Sequence, residues 1–444
     1  MSLPRYPEYR ESSAAWLGSL PAHWENWQAR RLFEQRRDGA RPGDEQLSAT
    51  QKYGVIPQRM FMEQEDQKLV LALGGLDNFK HVEPNDFVIS LRSFQGGIER
   101  SAHAGCVSPA YTVLRPKSGL VAHYWAYLFK CAQYIAALQT TTDGIREGKS
   151  ISYGQFGALL LPLPPKSEQT AIATFLDRET AKIDALIEEQ QRLITLLDEK
   201  RQATIVHAVT RGLNPNVPMK GSGVTWMGEV PAHWEVCLLK TRFSSVDYGI
   251  SDSLSADGSV AVLRMGNIVD GEVRLDDLRF VDEVEPSLLL QSGDLLFNRT
   301  NSLALVGKVG LFECVEFPVS FASYLVRIRL RVGNLPKYFA YLLNAPGMLG
   351  DVRSRAFEAI GQCNLNPTRY GQILVATPPG VEQRAIAVFL ESETRRVDVL
   401  RDEVKQTIAL LEERRAALIA AAVTGQIDVR DAAHETEARE KIAA

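Results

Sequence analysis

The chain has 444 residues, 45% of them apolar and 23% charged, and its 50 Lys and Arg against 54 Asp and Glu leave a net charge of −4. Those proportions are ordinary for a globular protein of two or three domains, and they exclude an overall electrostatic pull towards nucleic acid, so a nucleic-acid partner would need local patches. Five scattered cysteines (Cys106, Cys131, Cys237, Cys314 and Cys363) lack CxxC spacing, which argues against a zinc site and a disulfide framework and fits a reducing compartment. The opening MSLPRYPEYR has no apolar run, and nowhere do eighteen apolar residues follow one another. The expectation is a cytoplasmic chain without secretion signal or membrane span.

In chain order, residues 1–27 form an opening segment that returns at 221–236. Residues 16–25 read WLGSLPAHWE and residues 226–235 read WMGEVPAHWE, identical at seven of ten positions with an offset of 210. His23 with Trp24, and His233 with Trp234, are expected to form a packed hinge at the start of each unit. A single histidine beside a buried tryptophan is seldom a ligand or a base.

Residues 28–163 form a first α+β unit. Strands are predicted at 53–57, at 68–73 closed by Gly74 and Gly75, at 87–91 after a turn at Asn85 and Asp86, and at 110–114. A helix is predicted over 121–138, with Tyr124, Tyr127, Leu128 and Tyr134 on its apolar side.

Residues 164–212 then read as one long helix, and 378–426 repeat it. Eleven of twenty positions are identical between 165–184 and 379–398, at a constant offset of 214. Proline is tolerated at a helix start, Glu168 and Glu382 fall in the favoured first turn, and Gly212 and Gly425 are natural stops. About 45 residues make a rod of roughly 65 Å. In the second rod Leu390, Val397, Val404, Leu411 and Leu418 recur every seven residues, thickened by Leu400 and Ile408. The first rod has Leu176, Ile183, Leu186 and Leu197, with Ile187 and Ile194 alongside and Gln190 as a polar break. Each stripe is a seam for another helix, and the expected partner is the other rod.

Between the rods, residues 213–223 (LNPNVPMKGSG) read as a linker. Residues 224–377 are a second unit on the same plan, with strands at 260–263, 295–298 and 324–330 and a helix at 337–343. Residues 427–444 are a charged tail expected to fray. The fold class is α+β: two tandem units, each followed by a long helix, the helices pairing as an antiparallel coiled coil in a pseudo-two-fold internal repeat.

Three catalytic motifs fail. Gly144 to Ser150 (GIREGKS) has only three residues between its glycines where a phosphate-binding loop needs four. Glu147 and Lys149 have the ExK form of a metal-dependent nuclease, but Asp143 is too close and Asp86 too far to complete it. No Asn/Asp-Pro-Pro-Tyr/Phe segment of an amino-methyltransferase occurs, and no metal-ligand cluster is evident.

Two units, each introduced by G-x-x-P-x-x-W and closed by PP-x-x-EQ-x-x-I-A-x-F-L, resemble the specificity subunit of type I restriction-modification enzymes (HsdS). The resemblance runs from residue 16 to about 425. It implies that each unit is a target recognition domain binding one half of a bipartite, asymmetric site on double-stranded DNA. It further implies that the helices set the half-site spacing and dock two methyltransferase subunits, through which restriction subunits join. The family's chain has no catalytic activity of its own, and S-adenosylmethionine and ATP with Mg belong to its partners.

Direct readout wants Arg, Lys, Asn, Gln, Ser or Thr on loops. In the second unit Asn298, Arg299, Thr300, Asn301 and Ser302, with Lys308 behind them, resemble the family's GD-x-L-x-x-R-T loop. The counterpart in the first unit is Arg92, Ser93, Gln95 and Arg100, although Asn-Asp replaces Gly-Asp there. A second stretch precedes each closing segment: Arg146, Lys149, Ser150 and Tyr153, then Arg353, Arg355, Gln362 and Asn364. Residues 286–380 hold nine Lys/Arg against five Asp/Glu, whereas 247–285 hold three against ten. The later half of the second unit should therefore face phosphates. A pure interaction scaffold and a self-contained nuclease are the alternatives, separated from DNA recognition by sequence-specific binding and by metal-dependent cleavage.

Overall fold

The computed structural model describes residues 4–65, 76–141, 151–313, 315–359 and 362–431. It divides into two units, one built from residues 1–190 with 406–444 and the other from residues 191–405. Each unit therefore owns part of both long helices.

In the first unit, strands Phe33–Arg36, Thr112–Pro116, Phe87–Ile89 and Glu99–Arg100 form an antiparallel sheet in that order. Its inner face carries Phe33 and Phe87, whose rings meet at 5.7 Å, and Trp125, Phe129 and Phe156 close around Phe33. The helix expected over 121–138 is two helices, Ala122–Leu128 and Ala132–Thr140. No Gly or Pro marks the break. Cys131 is extended at the start of the second helix, and the resulting bend brings Phe129 and Tyr134 into ring contact at 5.0 Å in one core. The strand expected at 68–73 lies outside the described residues.

The second unit repeats the scheme with more strands. Its six-stranded sheet runs Phe243–Tyr248, Leu325–Leu330, Leu295–Asn298, Val309–Leu311, Glu272–Val273, Ile268–Val269. A three-stranded sheet adds Arg279–Val281, Val260–Leu263 and Val319–Phe321. In both units the closing strand pairs with the opening one: Leu160–Leu163 with Glu25–Gln28, and Leu374–Thr377 with Glu235–Leu238.

The long helices are Lys166–Arg211 and Gly380–Val423. Within the first unit Arg415 donates to Asp184 at 2.8 Å, and within the second Arg401 reaches Asp198 at 3.4 Å and Arg201 reaches Asp398 at 3.8 Å. One residue number rises as its partner's falls, so the helix segments run antiparallel. Ile183, Leu390, Val397 and Val404 are buried along this seam. Two seam residues read from the sequence are misplaced: Leu186 is 45% exposed and Leu400 41% exposed. Beside Leu186, Ile187 is the more buried, as Val397 is near Leu400. The seam advances by alternating steps of three and four residues, and that phase passes over Leu186 and Leu400.

Both helices stop on a glycine of positive φ, Gly212 at 73° and Gly425 at 72°. A Cβ at Gly425 would meet Pro21 Cδ at 2.5 Å and Trp24 Cη2 at 3.1 Å, whereas at Gly212 the nearest atom is Trp234 Cζ2 at 3.2 Å. Gly425→Ala is expected to cost about 1–2 kcal/mol, from the left-handed backbone plus the contact, and Gly212→Ala less. Thermal unfolding of the two variants side by side checks the order.

The linker is shorter than expected. Met219–Gly221 is already a strand, paired with Glu229–Pro231 as Tyr9–Glu11 pairs with Ser19–Pro21. Nor does the tail fray at once: Asp428 N–H donates to Pro4 O at 2.8 Å, Val429 is buried, and the Arg430 guanidinium lies over the Tyr6 ring at 5.0 Å.

Candidate nucleic-acid interface

The recognition loops stand on a junction that explains the repeated motifs. In the first unit Glu168, in the first turn of its helix, accepts from Trp24 Nε1 at 2.9 Å, His23 Nε2 at 2.7 Å and the Tyr6 hydroxyl at 3.1 Å. Burial, with Glu168 beside it, pushes the Tyr6 phenol pKa far above its ordinary value, so Tyr6 remains a donor. The second unit repeats two of these bonds, Trp234 Nε1 to Glu382 at 2.9 Å and His233 to Glu382 at 2.6 Å. The next residue works equally hard. Gln169 accepts from Val121 N–H and donates to Pro164 O, both at 2.9 Å. Gln383 accepts from Leu335 N–H at 2.7 Å and donates to Pro378 O at 2.9 Å. The Glu-Gln pair thus ties three chain segments to one helix start, and the segment read as a hinge is a rigid clamp.

A left-handed turn leads into each candidate loop. Asn85 (φ 72°) and Gly293 (φ 93°) take equivalent places, and asparagine tolerates that conformation where most residues do not. The aspartate that follows accepts the N–H three residues back, Asp86 from Glu83 and Asp294 from Gln291, both at 2.9 Å. Each also takes an arginine: Arg36 Nε at 2.6 Å on Asp86, Arg329 Nε at 2.7 Å on Asp294. The Asn-Asp departure in the first unit therefore leaves the turn intact.

Beyond the turn the second unit brings both candidate stretches together. Thr300–Asn301 pairs with Gln362–Asn364, which pairs with Phe357–Ala359, and Arg353 Nη2 donates to Ala304 O at 2.7 Å. The candidates divide within this small sheet. Asn298 is 1% exposed and Thr300 8%, and Thr300 Oγ1 accepts from Asn364 Nδ2 at 2.9 Å, so these side chains shape the loop from inside. Arg299 and Asn301 are partly exposed, and Ser302, Arg355 and Gln362 are exposed, although Arg355 is paired with Asp351. Lys308 turns away and lines a cleft of about 640 Å³ between the unit's loops and its helix segments.

In the first unit Arg92 and Gln95 are exposed, and Arg100 Nη1 donates to Asn85 Oδ1 at 3.0 Å. Ser93 is buried and its hydroxyl accepts the Ser90 N–H at 2.8 Å. Tyr153 is a core support, its hydroxyl donating to Phe33 O at 3.0 Å. Arg146, Lys149 and Ser150, with the GIREGKS and ExK segments, lie outside the described residues.

The charge count also needs correction. Of the basic residues in the later half of the second unit, Arg327 is buried on Asp247, Arg329 sits on Asp294, Arg331 donates to Phe243 O and Lys337 pairs with Glu391 at 2.5 Å. Much of the apparent positive excess is structural. Sequence reasoning also missed Tyr248 and Tyr324, which are about half exposed beside Arg299. Among the described residues no group of three or more His, Cys, Asp or Glu is placed to hold a metal ion, and no helix is long and apolar enough to cross a membrane.

No family model matches the chain. Known proteins do match. The type I restriction enzyme EcoKI specificity subunit of Escherichia coli K12 is 26% identical over 362 residues, 78% of this chain and 75% of that one. The StySPI specificity subunit of Salmonella potsdam is 22% identical over 358 residues, again 78% of this chain and 75% of that one. Among solved structures, a chain from work on complex assembly and conformational transition of the type I R-M system aligns with a TM-score of 0.64 at 15% identity. It covers 91% of this chain and 98% of its own. The chain is similar to type I restriction enzyme specificity subunits and shares their fold. The HsdS subunit from Thermoanaerobacter tengcongensis aligns with a TM-score of 0.53 at 15% identity, covering 91% of this chain and 98% of that one.

Proposed function

We propose that this HsdS-like chain is the DNA sequence-specificity subunit of a type I restriction-modification system. Each unit binds one half of a bipartite, asymmetric duplex site. The outer sides of the long helices carry two methyltransferase subunits, and restriction subunits join through those. The chain itself is non-catalytic, with S-adenosylmethionine and ATP with Mg held by its partners. The observation that carries the reading is a repeated junction beneath dissimilar loops. The Glu-Gln clamp and the Asp turn recur in both units, while the loops they present differ in sequence, length and secondary structure. One platform bearing two dissimilar surfaces suits two dissimilar half-sites.

The test is selection from a random duplex library by this chain co-expressed with a methyltransferase subunit. The expected product is a bipartite motif with a fixed unspecific spacer, in which replacing the loops of either unit changes one half only. A stable complex that enriches no sequence would leave an interaction scaffold in its place.

A further inference from the structure

Arg299 is one of the arginines of the second unit with a buried Nε that has no hydrogen-bond partner among the described residues. Its backbone is pinned on both sides, its N–H donating to Tyr324 O at 3.1 Å and its carbonyl accepting from Leu365 N–H at 2.8 Å. The strand register sets its neighbours. Tyr248 lies opposite Val326, and Val326 opposite Phe297. Tyr248 therefore ends its strand beside the residue that follows Leu295–Asn298, and Tyr248 and the Tyr324 backbone meet Arg299 at one end of the sheet, while Asn298 and Thr300 are buried.

There the guanidinium lies over the Tyr248 ring, 5.1 Å from its centroid. Its Nε is shut off from solvent, and among the described residues the group has no hydrogen bond or ion pair. Asp247, which precedes Tyr248 in the chain, is already taken by Arg327. Among the described residues the charge has no paired carboxylate, and its place over an aromatic ring restrains the planar fork with little further loss of entropy.

We infer that Arg299 anchors a backbone phosphate of the duplex, independently of base sequence; this rests on the DNA-binding reading above. A base reader must reach several ångströms into a groove, which calls for a side chain on a projecting loop or helix. Arg299 is the opposite: tethered at a sheet end, partly covered, and held over the Tyr248 ring. Phosphate lies at the rim of the grooves and accepts a bidentate guanidinium without deep penetration. The neighbouring turn with exposed Ser302 and Leu303 projects further and is left free to meet base edges.

The experiment measures binding of the co-expressed complex to its selected duplex and to an unrelated duplex between 50 and 200 mM salt. Arg299→Ala should weaken both by the same factor, roughly five- to tenfold, and lower the slope of log affinity against log salt by about one. The selected motif should be unchanged, and Arg299→Lys should restore most of the salt slope. Relaxed preference at a single base pair in Arg299→Ala would make this residue a base reader and overturn the inference. Unaltered affinity for both duplexes, with melting unchanged, would overturn it as well. If the wild-type complex binds no duplex and enriches no motif, the DNA reading itself falls and takes this assignment with it; the other two outcomes leave that reading standing.

Discussion

Glu168→Ala is expected to destabilise the first unit by about 3 kcal/mol, and Glu382→Ala the second by only about 1 kcal/mol. Both glutamates accept an indole N–H from a tryptophan that is 1% exposed, so removing either orphans a buried donor. The environments then diverge. Glu168 is nearly enclosed and holds a third donor, the buried Tyr6 hydroxyl, so its loss leaves two groups unsatisfied in a dry site. The Glu382 side chain is 41% exposed and lacks the tyrosine, so water can replace much of what is lost. Glu168→Gln should fall between, because an amide oxygen can serve one donor while its NH2 repels another. Calorimetric unfolding, with hydrogen exchange to assign each transition to a unit, measures the difference. Equal losses at the two positions would show that the third donor and the burial count for nothing.

Charging the outer face of the second long helix should have a larger consequence for assembly than for folding. Val388 is 62% exposed and Val399 53%, and with Leu400 they line a shallow depression edged by Arg395 and Arg396. None of these three contributes to the seam with the other helix. In a complex that buries them, each would be worth about 1.5–3 kcal/mol, and an aspartate in its place would be buried unpaired. The double variant Val388→Asp with Leu400→Asp should therefore bind a methyltransferase subunit at least about a hundredfold more weakly, while its unfolding midpoint stays near that of the parent. Sedimentation of the mixed subunits gives the first quantity and denaturant unfolding the second. Unimpaired assembly would place the methyltransferase elsewhere.

Repetition made the architecture legible before any coordinates. The offset of 214 marks two helices that must be equivalent, and unbroken runs free of Gly and Pro locate their ends to within a few residues. What the repeat could not supply was phase. Leu186 beside Ile187, and Leu400 three residues past Val397, are apolar residues of which only one of each pair lies on the buried side of the helix, and the choice is made by tertiary pairing. The same limit applied to the loops. Asn298, Arg299 and Thr300 read as one polar group, but strand alternation sends the first and third inward. Tyr248 stands about fifty residues away in sequence and joins Arg299 only through sheet register, so no local motif announces it. The Glu-Gln pair was conspicuous as a repeat, but its role depends on donors from segments far away in the chain.

The division of the first unit between both ends of the polypeptide has a consequence for vectorial synthesis. Its core includes Ile419, Ala420, Ala422, Val423 and Val429, and Tyr124 donates to Val423 O at 2.9 Å. Residues 191–405, by contrast, contain everything the second unit packs together. Residues 1–190 therefore leave the ribosome before any of the second unit, and the wall that completes the first unit follows after all of it. The domain translated first is the one finished last, so its apolar interior must wait, partly open, for the final stretch of chain to arrive.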